Sequence, residues 1–121
     1  MSIKALIADD SGVMRKIIVR AANAAGISEI TEAVDGADAI AKFGQEHFDL
    51  VLTDWNMPNK TGLEVIQEIR GTGSTVPIIM VTTEGEKQSV LQAIQAGVSD
   101  YLTKPFEADA LLAKIEKLSL A

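Results

Sequence analysis

Two short stretches of this chain, Ala5-Leu6-Ile7-Ala8 and Leu50-Val51-Leu52, are apolar without interruption. A strand with one wet face alternates apolar and polar side chains, so an unbroken run belongs to a strand covered on both faces. Such strands are typical of parallel sheets sandwiched between helices. The rest of the chain supplies the helices, in strict alternation with strands. Strands are expected at residues 3–8, 29–33, 50–53, 76–81 and 100–103. Helices are expected at 12–25, 36–45, 61–70, 86–96 and 107–118. The first helix should present Met14, Ile17, Ile18, Ala21 and Ala25 to the interior, and Gly26 should stop it. Thr61-Gly62-Leu63-Glu64 has the spacing of a capping box for the third. Right-handed crossovers and short loops then limit the topology. The expected fold is α/β, a doubly wound five-stranded parallel sheet of order 2-1-3-4-5, flavodoxin-like, in which ligands bind where the winding reverses.

A chain of 121 residues, 47% of them hydrophobic, is one globular domain, and residues 1–121 are read as that single domain with no output domain after it. The net charge of −6 argues against nucleic acid or an anionic membrane as the main partner. Cysteine is absent, the N-terminus enters a strand at once, and no apolar run approaches a membrane span. A cytoplasmic protein, monomeric in the simplest case, is the expectation.

The strand ends carry the chemistry. Ala5–Ala8 leads into Asp9-Asp10, and Leu50–Leu52 leads through Thr53 to Asp54. The run from Val76 to Val81 ends in Thr82-Thr83, and Tyr101-Leu102-Thr103 ends in Lys104-Pro105. Asp9-Asp10 and Asp54 would stand on adjacent strands at the point of reversal. Each pair of carboxylates about 4 Å apart costs roughly 4 kcal/mol at an effective dielectric of about 20, before relaxation. Such a cluster is poor packing but a good cradle for a hard cation. Magnesium suits it, because it needs one or two carboxylates, keeps its waters and takes a phosphate oxygen. Zinc does not, without Cys or a nearby His. Lys104 starts about 10 Å from Asp54, two strand spacings, and its flexible stem covers much of that gap. A metal and an ammonium flanking a carboxylate are the equipment for moving a phosphoryl group onto that carboxylate. Thr82 is placed to hydrogen-bond a phosphoryl oxygen.

At these residues the chain resembles the receiver domain of two-component response regulators, and within that family the single-domain chemotaxis regulators. The resemblance runs from Ile3 to Leu118. It rests on Asp9-Asp10, on Asp54 followed by Met57-Pro58 and Gly62, and on Thr82, Tyr101 and Lys104-Pro105-Phe106. The order 2-1-3-4-5 is itself associated with this family, so order and resemblance are one expectation. The resemblance implies that Asp54 accepts a phosphoryl group from a sensor histidine kinase. Asp10, Asp54 and the backbone carbonyl of Asn56 would ligate magnesium, with Asp9 helping through water. Lys104 would pair with the phosphoryl group, Thr82 would move toward it, and Tyr101 would turn inward. A cis Lys104-Pro105 bond is implied, and Asn56 and Glu84 match positions that tune the phosphoryl lifetime. Thr83 departs from the family's usual Ala or Gly and adds bulk beside the site. Output would pass through Lys87, Tyr101 and Lys114 on one face, to a target such as a flagellar switch, with a phosphatase as a further partner. The chain would be a signalling protein with intrinsic autophosphorylation and autodephosphorylation, not an enzyme in the ordinary sense.

Plainer readings compete. Asp9-Asp10 before Ser11-Gly12 could simply cap the first helix. Arg15-Lys16, and Lys87 with Lys114, read as solvated cations. His47 reads as a surface residue at the end opposite the acids, and Trp55 as partly exposed at the rim of the site. Two other functions are a relay intermediate that passes its phosphoryl group to another histidine protein, and a phosphatase with an aspartyl nucleophile. The latter commonly places a second acid two residues after the nucleophile, where this chain has Asn56. A flavodoxin-like cofactor carrier would need a phosphate-binding loop after the first strand, where this chain has acids.

Overall fold

The computed structural model describes residues 3–82, 87–103 and 106–118. Thr83, Glu84, Lys104 and Pro105 therefore lie outside the described residues, with everything expected of them. Five strands alternate with five helices, in the order β1 (Lys4–Ala8), α1 (Gly12–Ala24), β2 (Glu29–Ala33), α2 (Gly36–Phe43), β3 (Leu50–Thr53), α3 (Gly62–Gly71), β4 (Ile78–Thr82), α4 (Lys87–Ala96), β5 (Asp100–Thr103) and α5 (Ala108–Lys117). All pairings are parallel and the sheet order is β2-β1-β3-β4-β5.

The unbroken apolar runs are buried on both faces, as their composition requires. Leu6, Ala8, Val51, Ile78 and Met80 face a core shared with α2 and α3. Ala5, Ile7, Leu50, Leu52, Ile79 and Val81 face the opposite core, closed by α1 and α5. Alternate residues of each run thus enter opposite layers, as the two-residue period of a strand dictates.

Local signals set the ends of the elements. Thr61 and Glu64 form the full capping box of α3, with Glu64 N–H donating to the Thr61 hydroxyl at 3.2 Å and Thr61 N–H to the Glu64 carboxylate at 3.0 Å. Gly26 ends α1 with φ of 100°, a left-handed backbone that glycine adopts without a Cβ penalty. β4 begins at Ile78 and not at Val76, because Pro77 has no N–H for the ladder; its carbonyl still accepts from Val51 N–H at 2.9 Å. α2 ends at Phe43, with Gly44 as its C-cap, short of the expected residue 45.

The face of α1 differs from expectation at two positions: Ile17 stays outside, and Ala22 rather than Ala21 is the alanine that enters the core. Ile18 and Ala22 are buried and Met14 and Ala25 pack against them, but Ile17 stays exposed. A helix turns about 100° per residue, and the contact stripe runs through 14, 18, 22 and 25, leaving 17 on its rim.

Candidate functional site

Ala8 and Thr53 are partners in the β1–β3 ladder. Asp9 and Asp54 each follow one of these two residues, so the register alone sets them side by side at the carboxyl edge of the sheet. Asp9 is fully buried and Asp54 nearly so, whereas Asp10 is exposed. One carboxylate oxygen from each of the three lies within 4.8 Å of the others. Two oxygens on opposite sides of one magnesium ion would stand about 4.2 Å apart, so small side-chain rotations would let the cluster share an ion. Every side-chain donor in the set is a hard oxygen, and the residues fit that cation.

Both buried acids are held in place. Asp54 N–H donates to the Ala8 carbonyl at 2.9 Å, and its Oδ1 accepts from Trp55 N–H at 2.8 Å. Thr53 Oγ1 donates to the Asp54 carbonyl at 3.0 Å. Asp9 Oδ1 accepts from Ser11 N–H at 2.9 Å. The N-cap of α1 is Ser11, whose hydroxyl accepts from Met14 N–H at 3.2 Å. Helix capping is therefore done by Ser11, and it does not account for the two acids before it.

The loop between β3 and α3 closes over this edge. Gly62 N–H donates to the Trp55 carbonyl at 2.8 Å, folding the chain back on Asp54. Asn59 adopts a left-handed φ of 69°, and its amide donates to Asp35 Oδ2 at 2.7 Å. The Asp38 backbone N–H, helped by Asn59, holds the Asp35 carboxyl below the usual carboxylate range. Trp55 is half-buried at the rim and Asn56 is exposed.

Thr82 is the last residue of β4, paired in register with Thr103 of β5, so both of these strands also end at this edge. Tyr101 is half-buried on β5 and packs against the core shared with α3. Lys87 is the first residue of α4. His47 is exposed and sits beside Asp49 at the other end of the sheet, as expected.

Two cations read as solvated are not. The Arg15 side chain is only 15% exposed and pairs with Glu32 at 2.8 Å, although its neighbour Lys16 is 67% exposed. Lys114 donates to Asp100 Oδ1 at 3.0 Å, and the Asp100 side chain is only 12% exposed. Burial pushes the Asp100 carboxyl up, but the Lys114 ammonium and the Tyr101 N–H outweigh it and hold the group below its ordinary value. A carboxyl depressed on folding contributes stability that is present above its unfolded pKa, about 4, and is lost as pH falls through the folded value. Lys114→Met should therefore lower the melting temperature at pH 7, by an amount equivalent to about 1–3 kcal/mol. The deficit should shrink as pH falls below 4. A deficit unchanged by acid would assign the effect to lost packing of the lysine stem.

Residues 5–116 match the family model for the response regulator receiver domain. The chain is 39% identical over 117 residues to "Chemotaxis protein CheY" of Pseudomonas aeruginosa, covering 95% of this chain and 94% of that protein. It is 36% identical to "Chemotaxis protein CheY-3" of Vibrio cholerae, covering 97% and 92%. Among solved structures, the chemotaxis protein CheY4 of Vibrio cholerae superposes with a TM-score of 0.89 at 32% identity, over 97% of this chain and 98% of that one. The receiver domain of the Francisella response regulator 1452 gives 0.87 at 28% identity, over 97% and 96%.

Proposed function

We propose, from the premise that this chain belongs to the response regulator receiver domain family, that Asp54 accepts a phosphoryl group from a phosphohistidine of a sensor kinase. The phosphorylated chain then binds a protein target differently from the unmodified one. The observation that carries this reading is the convergence of the Asp9, Asp10 and Asp54 carboxylates within 4.8 Å at the end of β1 and β3. Three acids so close are costly unless a cation joins them.

An Asp54 carboxylate oxygen would attack phosphorus as the phosphorus–nitrogen bond breaks, the electron pair leaving on the imidazole. Asp9, Asp10 and Asp54, with the Asn56 carbonyl, would hold magnesium, which when bound offsets the negative charge gathered at the phosphoryl oxygens. The near-complete burial of Asp54 limits access of water to the nucleophile. The charge of Lys104 would pair with the phosphoryl group and the Thr82 hydroxyl would donate to it. Asn56, Thr83 and Glu84 would set how fast water removes it.

Output would pass through the neighbourhood of Tyr101. Leu91 and Ile94 of α4 are exposed large apolar residues, and a groove between α4 and β5 is lined by Ala93, Ile94, Val98 and Tyr101. A target with an apolar segment fits this surface. Lys87 remains assigned to it, but Lys114 belongs first to Asp100. The relatives that carry the name of chemotaxis proteins favour a motility target, such as a flagellar switch.

Incubation with acetyl phosphate and magnesium should add one phosphoryl group per chain, labile to hydroxylamine. Chelation of magnesium should suppress the labelling. Labelling at full rate in the chelator, or a stable adduct, would overturn the reading.

A further inference from the structure

We propose that Arg15 is the positioning residue of the acidic site: its guanidinium fixes the peptide joining Asp9 to Asp10, and so aims Asp10 at the shared cation. This rests on the reading that Asp9, Asp10 and Asp54 bind a divalent ion together.

Among the described residues, the Asp10 carboxylate has no hydrogen-bond or ion-pair partner, and the residue is exposed. A ligand without a side-chain support is aimed by its own backbone. That backbone begins with the Asp9 carbonyl, which accepts from Arg15 Nη1 at 2.8 Å. The other groups of Asp9 are held as well: its N–H donates to the Ala33 carbonyl at 3.2 Å and its Oδ1 accepts from Ser11 N–H. Arg15 is anchored in turn, its Nε donating to Glu32 Oε1 at 2.8 Å. Glu32 is fixed by two more residues, by Lys16 of α1 at 3.5 Å and by Lys42 of α2, which donates to its carbonyl at 2.7 Å. A rigid fork thus spans from β2 to the loop that carries the ligands. A lysine, with one flexible ammonium, does not reproduce two divergent contacts of fixed geometry.

Charge and geometry predict opposite signs. Arg15 is a cation near a cation site, so by charge alone its removal strengthens magnesium binding. As a positioning residue, its removal weakens binding, by about tenfold, the low end of what losing a ligand's supporting partner costs. Magnesium titrations of wild type, Arg15→Met, Arg15→Lys, Glu32→Gln and Asp10→Ala, read by Trp55 fluorescence, test this. Melting temperatures are measured in parallel in chelator and in saturating magnesium. The expected result is weaker binding in Arg15→Met, incomplete recovery in Arg15→Lys, and an intermediate loss in Glu32→Gln. The magnesium-induced rise in melting temperature should shrink in the same order. Should Arg15→Met fail to fold, Arg15→Lys carries the test, because it keeps the charge but not the two divergent contacts. Unchanged or tighter binding in Arg15→Met, or in Arg15→Lys where Arg15→Met does not fold, would overturn the positioning role and leave the cation site standing. No response in wild type, or an undiminished one in Asp10→Ala, would instead remove the cation site and the inference with it.

Discussion

Asp54→Asn is expected to abolish phosphoryl labelling by acetyl phosphate, a loss of at least about a thousandfold in rate, since the amide is not a nucleophile. The substitution keeps the shape of the side chain, and its retained oxygen can still accept from Trp55 N–H. The fold should therefore survive, and in chelator the variant should be more stable than wild type. Wild type holds three carboxylates together, and removing one charge relieves two repulsions, each of the order of a few kcal/mol before relaxation. The magnesium-induced rise in melting temperature should shrink correspondingly, because stabilisation by a ligand depends on its affinity for the native state. Two measurements thus move in opposite directions: labelling disappears while stability without metal rises. Labelling at an unchanged rate would place the nucleophile elsewhere. A large fall in stability would mean that Asp54 serves the fold and that its charge is compensated by something other than a cation.

Much of this arrangement was legible in the sequence because it follows from short-range rules. Unbroken apolar runs announce strands covered on both faces, and the residue after each run must lie at the sheet edge. Asp9, Asp10 and Asp54 are therefore placed by counting, once the strands are parallel and the order is 2-1-3-4-5. The capping box at Thr61 and the stop at Gly26 are equally local. The function of Arg15 was not legible. Its contacts reach to Asp9 and Glu32, and the second depends on how α1 is rotated over β2, a quantity that no local pattern carries. The same rotation decides that Ile18 is buried and Ile17 is not. Lys114 and Asp100 pair across 14 positions, from a helix to a strand. Their side chains look solvated until the tertiary packing brings them together. Long-range polar contacts between elements are thus the part that the periodicities of the chain leave open.

Gly62→Ala is expected to destabilise the chain and to impair Asp54 together, against what helix propensity predicts. Gly62 is the first residue of α3 and has no positive φ, so backbone freedom does not require glycine there. Propensity alone would favour alanine in a helix by up to about 1 kcal/mol. The surroundings forbid it. A Cβ at Gly62 would lie 2.1 Å from the Asp54 carbonyl oxygen and 3.1 Å from the Trp55 Cα. Both obstacles are backbone, so no side chain can swing aside. The Gly62 N–H also donates to the Trp55 carbonyl, which holds the two segments in close approach. Relief must come from moving the Asp54–Trp55 peptide, which carries the nucleophile and the N–H that its Oδ1 accepts from. The expected cost is about 3 kcal/mol or more, at the upper end of overpacking, seen as a fall in melting temperature of about 10 °C. The rate of phosphoryl labelling should fall as well, even well below the melting transition. Gly71→Ala is the matched control, because it changes the same residue type in the same helix with nothing within 4 Å of the added carbon. It should leave stability and labelling near wild type. If Gly62→Ala behaved like that control, the close approach of α3 to the Asp54 carbonyl would not hold in solution. If it lost stability but kept full labelling, the strain would be absorbed on the α3 side, and the position of the nucleophile would be independent of the loop that folds over it.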